Sequence, residues 1–224
     1  MLALLQRKSL RLLQPILKRL VNFYFRKPRN FKHDGLKLTI GPTVFHPGLF
    51  YSTKFLLSHV ENYQLKGKQV LELGAGSGLI ALSCARKGAI VTASDINQEA
   101  LNWLEKNAQA NQCELTLIHS DLFDQFSPAG FHLIIINPPY YPKAPENDKQ
   151  RAWYCGEEFE YFQKLFTQLK EGLTGTTQVI MVLSEDCDLE RISQLGLHSG
   201  FTIKELDAKH IGGERNAIYA IQSS

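Results

Sequence analysis

The spacing of apolar residues changes period repeatedly along the chain. Residues 36–40, 69–73, 90–94, 115–119, 132–136 and 179–183 are short apolar or alternating runs of strand length. Between them, residues 52–63, 79–87, 98–110, 159–170 and 189–198 repeat their apolar positions every three or four residues, as helices do, and Asn97 is placed to cap the third of these. Strands that alternate with helices predict a mostly parallel, doubly wound α/β sheet, because each crossover helix must lie on one face. Residues 201–206 and 217–221 form two further strands, separated by a Gly212–Gly213 turn region with no helix between them. They predict antiparallel neighbours.

Residues 1–33 break this pattern. Leu2, Leu5, Leu12, Leu13, Ile16, Leu20 and Phe23 recur near helical spacing, with Pro15 as a kink. The segment holds nine Lys or Arg residues and no acid, and it predicts a basic amphipathic helical arm ahead of a second unit, residues 34–224. That second unit carries all 22 acids against sixteen bases, a net charge of −6. The arm either packs its apolar stripe on the body or contacts RNA, the ribosome or an anionic membrane surface. It does not resemble a secretory signal, while its Arg-rich, acid-free composition leaves an organelle presequence open. The remaining composition is that of an ordinary globular protein, 44% hydrophobic and 21% charged. No run approaches the ~20 apolar residues of a membrane span. Cys84, Cys113, Cys155 and Cys187 lie far apart with no C-x-x-C pair, and the seven histidines show no ligand spacing, so neither a disulfide scaffold nor a metal site is expected. A reduced, cytoplasmic protein fits.

Two constellations carry chemistry. Val70-Leu71-Glu72-Leu73-Gly74-Ala75-Gly76-Ser77-Gly78 is a strand end opening into a glycine turn before a helix, the place where open α/β sheets bind ligands. The dinucleotide pattern would need glycine at position 79, which is Leu79, and the G-K-[ST] of a phosphate loop is absent. Glu72, immediately before the turn, favours a ligand with a cationic head. Asp95 closes the next strand, where a carboxylate can accept both hydroxyls of a ribose or simply serve a helix start. Asp121 ends the third strand, where it can receive an adenine amino group or be a solvated turn residue.

The second constellation is an apolar strand, 133–136, ending in Asn137-Pro138-Pro139-Tyr140. Two prolines make a stiff segment with aimed carbonyls. The Asn137 side-chain oxygen and the Pro138 carbonyl can accept both hydrogens of one planar –NH2 group, pulling its nitrogen toward tetrahedral geometry and turning the lone pair outward. Tyr140 can stack on the planar target.

E-L-G-A-G-S-G with Asp95, Asp121 and N-P-P-Y resembles the class I S-adenosyl-L-methionine-dependent methyltransferases of the amino-methylating type. Within these it is similar to the "methyltransferase small" group and to the HemK-like protein-glutamine methyltransferases. The likeness covers roughly residues 44–184 and includes Val44-Phe45-His46-Pro47 with Thr53, and Ala152-Trp153-Tyr154-Cys155-Gly156. It implies a seven-stranded Rossmann-like sheet whose last strand is antiparallel. It implies that Glu72 with Gly74, Ala75, Gly76 and Gly78 holds the methionine end of the cofactor, Asp95 with Ile96 the ribose, and Asp121 with Leu122 the adenine. Asn137, Pro138 and Tyr140 would present the target nitrogen, with Asn137 also near the cofactor. Pro139, Tyr140, His46 and Thr53 would face the substrate, although His46 equally suits a packing role. The acid usual in the segment ahead of the first helix has no counterpart at Phe50, Tyr51 or Ser52, and Cys155 stands where a glycine is common. The helical recognition domain of the bacterial release-factor methyltransferases is replaced by the basic arm. The acceptor implied is a glutamine side chain in a protein such as a translation factor. The alternative is an adenine-N6 or guanine-N2 amine in rRNA or tRNA. A cofactor-binding module without catalysis is the third reading, and an intact N-P-P-Y argues against it.

Overall fold

The computed structural model describes residues 26–224 apart from 43, 45, 49, 50 and 212, so the basic helix expected over 1–33 lies outside the described residues as far as residue 25. The end of that basic segment is not helical. Arg29–His33 is a strand, β1, paired antiparallel with β2, Leu36–Ile40, across a turn at Asp34 and Gly35 that both take positive φ. The basic residues of 29–32 hid this strand because its alternation exposes them on one face.

The remaining elements are α1 (Tyr51–Val60), β3 (Gln69–Leu73), α2 (Leu79–Arg86), β4 (Ile90–Asp95), α3 (Gln98–Ala110), β5 (Leu115–His119) and β6 (Leu133–Ile136). They are followed by α4 (Asp148–Arg151), α5 (Glu160–Gly172), β7 (Gln178–Ser184), α6 (Leu189–His198), β8 (Phe201–Ile211) and β9 (Glu214–Ser223). Seven strands form one sheet in the order β5-β4-β3-β6-β7-β9-β8. β3 to β7 are parallel, and β9 runs antiparallel to both its neighbours.

Strand alternation divides the core into two layers. Val70, Val91, Ala93 and Ile135 face α1, α2 and α3, whereas Leu71, Leu73, Ile134 and Ile136 face α5 and α6. β6 reads LIII because both of its faces are covered. Phe162, Leu165, Phe166 and Leu169 form the buried stripe of α5; each contributes roughly 1.5–3 kcal/mol on burial, enough to fix the helix that walls one side of the crevice described below.

The β1–β2 hairpin joins the body through side chains that act as a strand would. Asn111 of α3 accepts the Lys37 N–H at 2.9 Å and donates to the Lys37 carbonyl at 2.7 Å. Asn107, one turn earlier, accepts the Thr39 N–H at 2.7 Å and donates to the Thr39 carbonyl at 3.1 Å.

β8 and β9 run further than the sequence suggested, because polar residues on the exposed side of β8 interrupt its apolar alternation, and a bulge falls between Glu205 and Asp207. Gly78 is fixed by packing: its φ is +76°, and a Cβ there would meet Leu104 Cδ1 of α3 at 1.9 Å. Gly78→Ala should therefore lower the unfolding free energy by about 2 kcal/mol or more, from left-handed strain plus overpacking, as measured by urea denaturation. An unchanged midpoint would show that α2 and α3 are free to part.

Candidate active site

The order of strands reverses between β4 and β6, which flank β3, and a crevice opens there at the carboxyl ends of the strands. It holds a cavity of about 490 Å³, a size that suits a small-molecule ligand.

Glu72 projects from β3 toward α2 and is 7% exposed. Its Oε2 accepts the Ala81 N–H at 2.7 Å. α2 starts after Gly78, which has no side chain to cap it, so a carboxylate from the neighbouring strand satisfies an amide at the positive helix end. Burial pushes the Glu72 carboxyl up to about 8, the nearby Asp95 charge adds to this, and the Ala81 N–H opposes it.

The glycine loop is pinned to β4, because Gly74 and Ala75 both donate to the Ser94 carbonyl at 2.9 Å. Gly74 and Gly76 have φ of +74° and +52°, and a Cβ at either would meet nothing within 4 Å. Both line the cavity with Ala75. Gly78 does not; it serves the α2–α3 contact, which corrects its assignment to the ligand, since its position after the turn already belongs to helix packing.

Asp95 accepts the Gly76 N–H on Oδ2 at 2.7 Å and the Asn97 N–H on Oδ1 at 2.8 Å. Burial raises its carboxyl above the ordinary range while these N–H groups pull it down. Each oxygen retains a lone pair, so a diol can still be received. Asn97 caps α3 by accepting from Glu99 at 2.9 Å, and Ile96 lines the cavity beside it.

Asp121 is ion-paired with Lys164 of α5, Nζ to Oδ2 at 2.8 Å. Lys164 also reaches Asp124 at 2.7 Å, and Gln168, one turn on, donates to Asp124 and accepts the Phe123 N–H at 3.0 Å. These two side chains clamp a loop in which Leu122 holds a φ of +53°. Tyr161 of α5 lines the cavity as well; burial and then the charges of Asp121 and Asp95 raise its phenol. Sequence reasoning missed Lys164, Gln168 and Tyr161, whose only signal was a place on a helix adjoining the strand ends.

Asn137, Pro138, Pro139 and Tyr140 line the opposite end of the same cavity. The Asn137 Nδ2 donates to Thr53 Oγ1 of α1 at 3.2 Å, so Thr53 meets the site through Asn137. Tyr140 is half-buried; burial raises its phenol, and a hydrogen bond to Ser184 of β7 opposes this. The Tyr140 and Tyr141 N–H groups both donate to the Trp153 carbonyl, closing residues 141–153 into a flap that carries α4 and reaches the cavity through Ala152, Trp153 and Cys155. His46 does not reach the cavity. Its ring meets Phe31 of β1 edge-on at 5.5 Å and accepts the Gly48 N–H at 3.1 Å, because the hairpin draws that segment outward.

The donor set tests S-adenosyl-L-methionine directly. A buried acid for a cationic end, an acid with two free lone pairs for a diol, a loop open beyond two glycines and an acid beside a flat aromatic wall all fit that group. Among the described residues no helix is long and apolar enough to cross a membrane.

Comparison with known proteins supports the same family. The chain is 36% identical over 114 residues to a protein of Methanocaldococcus jannaschii named as a candidate protein N5-glutamine methyltransferase, covering 50% of this chain and 55% of that one. It is 32% identical over 146 residues to a tRNA1(Val) (adenine(37)-N6)-methyltransferase of Vibrio campbellii, covering 62% and 59%. The chain thus spans little more than half the length of these curated relatives. Its fold matches a chain of the E. cuniculi Mtq2–Trm112 complex, described as responsible for methylation of the eRF1 termination factor, with a TM-score of 0.63 and 21% identity over 81% of this chain and 99% of that one. It also matches the T. thermophilus 16S rRNA N2 G1207 methyltransferase in complex with AdoMet and guanosine, with a TM-score of 0.62 and 21% identity over 88% and 50%. Residues 36–205 match the methyltransferase small domain, which takes in every strand from β2 to β7 and the whole cavity, and the chain belongs to that family.

Proposed function

We propose that this chain is an S-adenosyl-L-methionine-dependent N-methyltransferase acting on a glutamine side chain in a protein, with a translation termination factor as the substrate class and the cytoplasm as the place of action. The observation that carries this reading is the convergence of Asn137 and Pro138 with Glu72, Asp95 and Asp121 on one cavity. Glu72 and the Gly74–Gly76 loop would hold the methionine end, Asp95 and Ile96 the ribose, and Asp121 and Leu122 the adenine. When bound, the cofactor supplies an electrophilic methyl group on a sulfonium. The chain's own part is placement: Asn137 Oδ1 and the Pro138 carbonyl accept the two N–H bonds of the acceptor, and the Tyr140 ring confines its plane. No side chain of this set needs to act as a strong base.

Charge favours a protein over RNA. Asp186 stands 3.5 Å from the Tyr141 hydroxyl, and Glu214 is near enough to raise both tyrosine phenols beside the cavity mouth. Acids at that rim repel phosphates. The second reading, an exocyclic amine in RNA, is favoured by the acid-free basic segment at the N-terminus. Incubating total cell protein and total RNA with methyl-labelled cofactor separates the two. Label in protein, recovered as N5-methylglutamine, is the result expected; label in RNA alone selects the second reading, and no label removes both.

Glu72 gives the reading a pH signature. Its carboxyl, raised to about 8, is mostly protonated at neutral pH in the free protein, and a cationic ligand favours the ionised form. Binding then releases a proton, so affinity rises with pH by up to about tenfold per unit below that value and levels off above it. Titration calorimetry of the wild type and Glu72→Gln across this range should show the rise in the first and its loss in the second. Parallel curves would take Glu72 out of the ligand's field.

A further inference from the structure

The Asn137 side chain is the part of the proposed acceptor site whose orientation matters most, and the sequence around it cannot set that orientation. An asparagine amide turns about a broad two-fold torsion, and its oxygen and nitrogen ends are nearly the same shape. One end accepts a hydrogen bond from an acceptor –NH2; the other end donates and repels it. Local backbone usually settles such a choice through an Asx turn, in which the side-chain oxygen takes the N–H two residues on. Here that residue is Pro139, which has no N–H, and Pro138 has none either. The two prolines leave Oδ1 without a local competitor and leave the amide without a local anchor.

The anchor comes from 84 residues away. Thr53 Oγ1 accepts from Asn137 Nδ2 at 3.2 Å. Thr53 is 6% exposed and lines the cavity beside Asn137. It sits in the first turn of α1, whose Phe55, Leu56, Leu57 and Val60 are buried in the core, so the hydroxyl is carried on a packed element and its β-branched side chain has little rotational freedom.

We infer that Thr53 is a positioning residue for the methyl acceptor: by holding Nδ2 of Asn137 it turns Oδ1 toward the nitrogen that receives the methyl group. The inference rests on the amide-methylating reading above and assigns to α1 a part in the chemical step that contact with cofactor does not require.

The test compares Thr53→Val, which keeps the shape and removes the acceptor, with Thr53→Ser, which keeps the oxygen. Initial rates of methyl incorporation from labelled S-adenosyl-L-methionine into total cell protein are measured beside the Kd for the cofactor. Thr53→Val should lower the rate by about 10-fold to 100-fold, as a misplaced reacting group does, with the cofactor Kd within about twofold of wild type. Thr53→Ser should stay within about threefold of wild type. In an Asn137→Asp background the acceptor carries two oxygens and cannot flip to a donor, so adding Thr53→Val should then cost less than threefold, roughly the scatter of such comparisons. Should Thr53→Val fail to fold, Thr53→Ala removes the same oxygen and is read in its place. An unchanged rate in Thr53→Val, an equal loss in Thr53→Ser, or a matching rise in cofactor Kd would each overturn the assignment while leaving the methyl-transfer reading intact. No incorporation by the wild type would overturn both.

Discussion

Replacing Asn137 by alanine is expected to lower the rate of methyl transfer by about 10² to 10³ while cofactor and acceptor bind nearly as before. An amide nitrogen is planar and its lone pair is conjugated, so it is a poor nucleophile until its geometry changes. Asn137 Oδ1 and the Pro138 carbonyl gain most from the two N–H bonds when the nitrogen has become tetrahedral and has begun to carry positive charge. An interaction that strengthens toward the transition state shows in kcat and hardly in Kd. Asn137 lies at the end of β6, whose four residues are all buried, so truncating its side chain leaves the strand supported. Asn137→Asp retains an acceptor oxygen and should keep partial activity, whereas Tyr140→Phe should be mild if the ring is what confines the substrate. Wild-type turnover in Asn137→Ala would sink the mechanism.

The second large effect falls on the cofactor. Asp95→Ala should weaken S-adenosyl-L-methionine binding by about 2 to 3 kcal/mol, the scale of charge-assisted hydrogen bonds. The carboxylate has two duties. It can receive a diol, and it already holds the Gly76 and Asn97 N–H groups that shape the glycine loop and the start of α3. Asp95→Asn separates them: one oxygen remains for a backbone N–H, but its Nδ2 must face a second donor, so loop shape suffers even where size is kept. Calorimetry showing unchanged affinity in Asp95→Ala would remove the residue from the site.

The sheet was legible because its strands are short, apolar and separated by helices with clear periodicity; β3, β5 and α3 fall on the residues that the pattern marks. β1 was not, since a half-exposed strand in a basic segment looks like the polar face of a helix. α4 was not, because four residues capped by Asn147 carry no apolar period. Within the site, residues at strand ends could be read from spacing, and Glu72, Asp95, Asp121 and Asn137 do stand along one cavity. What spacing could not supply was contact across the fold. Lys164 and Gln168 reach Asp121, Asp124 and Phe123 from a helix about forty residues on, and Thr53 reaches Asn137 from one far upstream. Gly78 and His46 show the converse, since each sits within a motif yet is claimed by packing against a neighbouring element.

The paired asparagines of α3 carry a consequence for how this protein behaves in a crowded solution. A hairpin such as β1–β2, standing outside the main sheet, would ordinarily present a row of unsatisfied peptide groups on which a strand from another molecule could grow. Asn107 and Asn111 occupy the N–H and carbonyl groups of Lys37 and Thr39 with side chains of the same molecule, so that flank offers no template for intermolecular β-pairing. Two amides one helical turn apart thus act as a built-in guard against aggregation.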